Sequence, residues 1–298
     1  MRANLIKIAA VGAVLSIAAI SQASAAAVNF TWSPGGATTP LSGTNFTADN
    51  MTGTDFSTIQ LTVTSPTTAA FTDNGYLPIT QFQLGGSPVT TTGLDAGGGY
   101  GLVFKFSAAG TQQAIGGNPI PPNPGVLLGS LSSLTFQLIG YTIPALGSPA
   151  SFSFNAQNGV VASIPGTQVV LAQGSLVAGG VTLANFGAGL VPGASALSTF
   201  LPCVAAAGLC TSGDESGFFL APPLAQLLDI FASFTNTPLE ILAPVSCNGG
   251  ASLCIGISGG SNSADLITTV PEPRSLALFG TGILALGMLL SRRRKLSS

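Results

Sequence analysis

Apolar and polar residues alternate in several short stretches of the chain. In "FSTIQLTV", Ile59, Leu61 and Val63 are separated by single polar residues. Neighbouring side chains of a strand point to opposite faces, so a period of two predicts a strand with one buried face. Three further stretches, "YGLVFKFSA", "SLTFQLIGY" and "SFSFNA", show the same period, with apolar positions at Leu102, Phe104, Phe106, Leu134, Phe136, Leu138, Phe152 and Phe154.

Glycine and proline separate these stretches. Asp73-Asn74-Gly75, between "AAFT" and "YLPIT", is predicted to form a hairpin turn because Asn-Gly tolerates the positive φ of tight turns. Gly97 to Gly99 and Pro121-Pro122 interrupt the chain elsewhere. Many short strands joined by such turns predict an all-β domain over residues 26–269, built as an antiparallel β-sandwich or an open barrel.

One stretch of the domain fits two interpretations. In "PPLAQLLDIFASF", Leu224, Leu227, Leu228 and Phe231 have helical spacing after two prolines. Leu228, Ile230, Ala232 and Phe234 also alternate as in a strand. The pattern alone leaves helix and strand open, and neither changes the fold class.

The N-terminus has the features of a secretory signal peptide. Arg2 and Lys7 precede an apolar run over residues 8–20, and Ala23-Ser24-Ala25 supplies the small residues at which signal peptidase cuts. We therefore expect residues 1–25 to be removed after Ala25.

The C-terminus combines a proline motif, an apolar run and a basic cluster. Pro271-Glu272-Pro273 cannot lie inside a helix and favours extended backbone. Residues 275–291 carry no charge and, as a helix, reach roughly 25 Å, which suits a single transmembrane helix. Clustered cations stay on the cytoplasmic side, here Arg292, Arg293, Arg294 and Lys295.

This order of features resembles the PEP-CTERM sorting tail of exopolysaccharide-producing Gram-negative bacteria. The resemblance covers residues 270–298 and implies recognition by an exosortase, a membrane protease that removes or transfers such tails. The protein would then pass transiently through the inner membrane and end at the cell surface or in the extracellular matrix. A plain C-terminal membrane anchor is the alternative.

The charge of the domain differs from that of the termini. Residues 26–270 contain one cation, Lys105, and nine acids, a net charge of about −8. One cation cannot neutralise a row of phosphates, so we exclude nucleic-acid binding. Thr, Ser, Asn and Gln take the place of charged residues, and their hydroxyls and amides can pair with the hydroxyls of an extracellular polysaccharide.

Four cysteines form two loops of equal spacing, "CVAAAGLC" and "CNGGASLC". Export to an oxidising compartment favours two disulfides, and we prefer Cys203 with Cys210 and Cys247 with Cys254. A zinc site formed by the four thiolates is the alternative.

Little in the sequence supports catalysis. The chain has no histidine, which removes the usual base of a nucleophilic serine or cysteine. The G-x-S-x-G match at residues 256–260 is therefore interpreted as a glycine-rich turn. No cofactor is predicted. Glycoside hydrolysis needs only two carboxylates and is the alternative to a non-enzymatic role, with candidates Asp214, Glu215, Asp229 and Glu240.

The stretches "NFTWSP", "TGTDFSTIQL", "GYLPITQFQLGG" and "YGLVFKF" resemble PEP-CTERM proteins associated with flocculation. Together these features predict an exported, non-enzymatic surface or matrix protein with a role in exopolysaccharide, biofilm or floc formation.

Overall fold

A computed structural model describes the domain between residues 29 and 267. The gaps lie at residues 37–40, 116–125, 156–158, 186–193, 203–217, 222–225, 234–238 and 243–252. Ala27–Thr268 form one compact unit, and Met1–Ala26 with Thr269–Ser298 form a second. The predicted signal peptide and the predicted sorting tail with its apolar helix lie outside the described residues. The described part of the chain contains no helix with the length and apolarity needed to cross a bilayer.

The domain consists of strands joined by turns and one short 3₁₀ helix at Pro34–Gly36. In chain order the strands are β1 (Phe30–Trp32), β2 (Phe46–Ala48), β3 (Asn50–Ser65), β4 (Thr68–Leu84), β5 (Ser87–Pro88), β6 (Tyr100–Ile115), β7 (Val126–Thr142), β8 (Ser151–Asn155), β9 (Gly159–Ser163), β10 (Gln168–Asn185), β11 (Ala194–Pro202), β12 (Phe219–Ala221), β13 (Gln226–Ser233), β14 (Leu239–Leu242) and β15 (Leu253–Ile267).

The main sheet has the order β13-β11-β10-β7-β6-β4-β3-β15-β14, with β5 paired to β4. β13 also pairs with β15, so the two ends of an eight-stranded path join and the sheet closes on itself. A small sheet, β12-β1-β2, shares a core with the main sheet, and β8 and β9 form a separate hairpin. Every strand pairing is antiparallel. The prediction of an antiparallel all-β fold is confirmed.

The alternating stretches lie in strands as predicted: "FSTIQLTV" in β3, "YGLVFKFSA" in β6, "SLTFQLIGY" in β7 and most of "SFSFNA" in β8. In β6 the even-numbered Leu102 and Phe104 are buried in the main core, whereas Lys105 on the opposite face is exposed. Val103 lies on the face of Lys105 and is buried in a second apolar cluster with Tyr141 and Ile143. The stretch with two interpretations contains β13, which settles residues 226–233 in favour of the strand.

The predicted hairpin turn at Asp73-Asn74-Gly75 is wrong. These residues lie within β4, which runs without interruption from Thr68 to Leu84 and pairs with β3 and β6. Gly75 stands opposite Ser57, and a Cβ at Gly75 would lie 2.4 Å from the Cβ of Ser57. The glycine is therefore required for close approach of two strands and not for a positive φ.

The predicted glycine-rich turn at residues 256–260 is also wrong. The segment lies in β15, paired with β3, and the register shifts between Ser258 and Gly260. Here the glycines accompany a bulge, a common place for glycine within a strand.

The largest core cluster joins the small sheet to the main sheet around Trp32. The indole ring contacts Phe82 and Phe219 at centroid distances of 4.8 Å and 5.0 Å and meets Phe218 edge-on at 5.6 Å. Trp32 and Phe82 are each 1% exposed. Buried aromatic side chains contribute more than any other residue type to such cores, so this cluster holds the two sheets together.

We expect Trp32→Ala to lower the free energy of unfolding by about 3–5 kcal/mol, because it leaves a cavity at the centre of the aromatic cluster. Denaturant unfolding followed by circular dichroism measures the loss. Leu146→Ala is the control, because Leu146 is fully exposed and its truncation should change stability by less than about 0.5 kcal/mol. Equal stability of the two variants would contradict the proposed packing.

Candidate functional site

A polar cleft crosses the exposed face of the main sheet. It has a volume of about 640 Å³ and is lined from six neighbouring strands, β3, β4, β6, β7, β10 and β11, with Val160 of β9 at one side. Five strand spacings correspond to roughly 24 Å. The cleft therefore has the size of a ligand site and the length for several units of a polymer.

The first row of cleft residues runs straight across the strands. Tyr76 of β4 is opposite Lys105 of β6, Lys105 is opposite Gln137 of β7, and Gln137 is opposite Gln173 of β10. Lys105 and Gln137 are exposed, and Tyr76 and Gln173 are half-buried. Cross-strand neighbours lie about 4.5–5.5 Å apart, so one aromatic ring, one ammonium group and two amides form a continuous line.

The second row lies beside the first and consists of hydroxyls and one amide. The N–H of Ser175 donates to Thr199 Oγ1 at 3.0 Å, and Thr199 Oγ1 donates to the Ser175 carbonyl at 3.3 Å, which joins β10 to β11 at the end of the row. In strand order the row contains Thr58, Asn74, Ser107, Thr135, Ser175 and Thr199.

The β8–β9 hairpin forms one wall of the cleft. Phe152 stacks on Phe56 at a centroid distance of 5.0 Å and contacts the Tyr76 ring at 5.6 Å. The N–H of Val160 donates to Thr58 Oγ1 at 3.0 Å. Gly159 has φ +72°, and a Cβ there would lie 2.6 Å from Thr58 Oγ1, so glycine is needed where the hairpin meets the sheet. These contacts fix the position of Tyr76.

The chemistry of the cleft is that of neutral hydrogen bonding. Among the described residues, its lining includes Thr, Ser, Asn and Gln side chains with Lys105 and contains no carboxylate. Hydroxyls and amides both donate and accept, so they can match a ligand rich in hydroxyl groups without desolvating an ion.

The sequence predicts the orientation of Lys105 but not the cleft. Lys105 alternates with Phe104 and Phe106 in the strand pattern "YGLVFKFSA", and its side chain is exposed in the structure. None of the other cleft residues was predicted to bind a ligand. Their signal lies in the polar positions between the apolar ones, such as Thr135 and Gln137 in "SLTFQLIGY". The alignment of these positions across strands depends on register, which one strand alone does not contain.

The acids proposed for glycoside hydrolysis do not come together where the structure describes them. Asp229 of β13 pairs with Asp265, and Glu240 of β14 pairs with Gly256, on the same strand β15. Positions 256 and 265 are nine residues, or roughly 30 Å, apart along that strand. The two carboxyls of a glycoside hydrolase lie within about 10 Å of each other. Asp214 and Glu215 lie outside the described residues.

A different pair of acids, Asp55 of β3 and Asp73 of β4, lies on the buried face with Ser57. Asp55 is 4% exposed, and Asp55 Oδ1, Asp73 Oδ1 and Ser57 Oγ are buried without hydrogen-bond partners in the described structure. Burial raises the pKa of Asp73 to about 7, and the nearby Ser57 hydroxyl opposes the rise. Burial and the neighbouring Asp73 raise the pKa of Asp55 well above its usual range. These carboxyls face the core and do not line the cleft.

Of the four cysteines, the structure describes Cys254 alone. It is buried in β15 and does not carry a free thiol. Within the described residues no group of three or more acids, histidines or cysteines is placed to hold a metal ion. Both the preferred disulfide pairing and the zinc alternative stay predictions, because Cys203, Cys210 and Cys247 lie outside the described residues.

Comparison with protein families places one functional element in the chain: residues 269–295 match the PEP-CTERM protein-sorting motif. The match contains Pro271, Glu272, Pro273 and the basic residues Arg292, Arg293, Arg294 and Lys295. Searches against curated proteins and solved structures gave no match. The motif identifies the protein as an exported exosortase substrate directed to the cell envelope or surface. The predicted processing residues at the other end, Ala23 and Ala25, lie outside the described residues and stay a prediction.

The buried acids give stability a specific pH dependence. Because the native pKa of Asp73 is above the unfolded value, the folded state retains a proton that the unfolded state has lost. Stability from this group is therefore greatest near pH 4 and falls as the pH rises to about 7. Burial also raises the pKa of Asp95, to about 6, so this carboxyl acts in the same direction.

Asp73→Asn should reduce this dependence, since asparagine does not ionise. We expect the variant to gain roughly 4 kcal/mol over the unmodified protein at pH 8 relative to pH 4, because each unit between the unfolded and folded pKa is about 1.4 kcal/mol. Urea unfolding at both pH values tests this, with Ser133→Ala as a surface control in the same assay. An unchanged slope between pH 4 and pH 8 in Asp73→Asn would show that Asp73 is ionised in the native state.

Proposed function

We propose that this exported, exosortase-sorted protein binds extracellular polysaccharide through the polar cleft and acts without catalysis at the cell surface or in the matrix. The observation that carries the proposal is the pair of neutral polar rows across β3, β4, β6, β7, β10 and β11. An array of amides and hydroxyls on strands in fixed register is suited to a ligand that presents hydroxyl groups at regular intervals.

The cellular destination of the protein supports this proposal independently of the cleft. A protein sorted to the envelope meets polysaccharide at its destination, and the small number of charged residues in residues 26–270, one cation and nine acids, leaves mainly hydroxyls and amides to contact a neutral polymer. We propose that binding contributes to adhesion, biofilm or floc formation, and that the host is a Gram-negative bacterium. Signal peptidase and exosortase are the proposed processing partners.

We expect Gln137→Ala combined with Gln173→Ala to weaken glycan binding about tenfold, because each truncation removes one or two hydrogen bonds at the centre of the first row. Binding is measured by co-sedimentation of the exported protein with the host's purified exopolysaccharide. Gln113→Ala is the control, since it removes the same kind of side chain at an exposed position of β6 that lies outside the cleft. If the control weakens binding as strongly as the double variant, the cleft is not the site.

The same samples test the enzymatic alternative. The non-enzymatic role predicts glycan binding with no increase in reducing ends after long incubation. Release of reducing ends that is lost on substitution of Asp229 or Glu240 would support glycoside hydrolysis instead.

We expect exosortase-dependent loss of the tail. Mass spectrometry of the protein from cell and medium fractions should show a C-terminus at or near the Pro271-Glu272-Pro273 motif in the host, and an intact Ser298 in a strain without exosortase. An extended peptide before a membrane span is accessible to a protease, and Pro271→Ala with Pro273→Ala removes the residues that keep it extended. An intact tail in both strains would favour the plain anchor.

A further inference from the structure

Lys105 has a central position in the cleft. It is the one basic residue in residues 26–270, and it lies in the first row between Tyr76 and Gln137. Its side chain is exposed, and it forms no ion pair with any residue that the structure describes. The ammonium group is therefore available to a ligand.

The charge around Lys105 differs from that of the domain as a whole. The domain has a net charge of about −8, yet none of the cleft residues that the structure describes is an acid, and Lys105 gives them one positive charge in a negative protein. A polyanion is repelled by most of this surface and attracted at one place. This arrangement favours a polymer with one carboxylate per sugar over the more densely charged chain of a nucleic acid.

We propose that the cleft selects polysaccharide containing uronic acid, with Lys105 binding the sugar carboxylate. This inference rests on the proposed function and names its ligand class. The ammonium group supplies the charge, and the side-chain amide of Gln137 next to it is placed to donate a second hydrogen bond to the same carboxylate. The hydroxyls of the second row then contact the hydroxyl groups of neighbouring sugars.

The expected gain is modest and sensitive to salt. An exposed ion pair changes affinity by up to about fivefold, and ions screen it beyond about 10 Å at 0.1 M. The carboxylate therefore determines which glycan is preferred, while the neutral side chains of the two rows form hydrogen bonds with any glycan. Removing the cation should lower binding of a polyuronate more than binding of a neutral polymer.

The test uses the mature protein exported by its host and three probes: alginate as the polyuronate, dextran as the neutral polymer and dextran sulfate as the sulfated polymer. Affinity for each is measured at low and high salt. We expect Lys105→Gln to lower alginate affinity about fivefold at low salt and to lower dextran affinity less, so that the preference for alginate is lost. Lys105→Arg should retain the preference for alginate.

A second variant separates position from net charge. Lys105→Gln combined with Gln113→Lys keeps the net charge and moves the cation along β6 to an exposed position outside the cleft. If the preference for alginate is lost in this variant, position in the cleft decides it. Full recovery of the preference, or equal binding of dextran sulfate and alginate, would overturn the carboxylate assignment.

Binding by the unmodified protein separates a failure of the uronate inference from a failure of the proposed function. Equal affinity of the unmodified protein for alginate and dextran would overturn the uronate inference and leave polysaccharide binding intact. Failure of the unmodified protein to bind any of the three probes or the host's own exopolysaccharide would overturn both.

Discussion

The register between β4, β6 and β7 is the constraint on which both the core and the cleft depend. Tyr76, Lys105 and Gln137 share one row because Leu77, Phe104 and Leu138 share the next row on the opposite face. A slip of one residue in β6 would place Lys105 in the core and Phe104 in water. Burying an unpaired ammonium group costs several kcal/mol, and exposing a phenylalanine adds about 1.5–3 kcal/mol. The cleft is thus aligned by the energy of the core behind it.

The buried acids show how the same alternation can place polar groups inside. Asp55 and Ser57 alternate along β3 with Ile59 and Leu61 and therefore lie on the same face of the strand. The face that buries Leu61 thus also buries the Asp55 carboxyl. Gly75 on the facing strand leaves the space that Ser57 occupies, and Asp73 stands two residues from it on the same face. With no cation nearby in the sequence, the low-energy state of such a pair holds protons, which is the physical origin of the raised pKa values.

Sequence patterns predicted the class of the fold because strand alternation is local: "YGLVFKFSA" and "SLTFQLIGY" contain their own buried and exposed faces. The Asn74-Gly75 turn was mispredicted because the tolerance of glycine for positive φ and its lack of a side chain produce the same sequence signal, and here the second property is the one used. The cleft was not predicted, since its rows join residues up to about 140 positions apart, from Thr58 to Thr199. The tail was found from sequence because its prolines, apolar run and cations are contiguous.

A neutral binding face has a specific consequence for a protein in a polymer matrix. Each hydrogen bond to a sugar hydroxyl adds only about 1 kcal/mol, because water competes for both partners. Useful affinity therefore requires many such contacts on a rigid surface, and strands in register supply them at a regular spacing. Repeating polymers add a second factor, since a chain released from one copy remains at high effective concentration near the next. Lys105 lies among these weak contacts, so its charge can shift the preference toward glycans that contain uronic acid. Binding itself still depends mainly on the neutral hydrogen bonds.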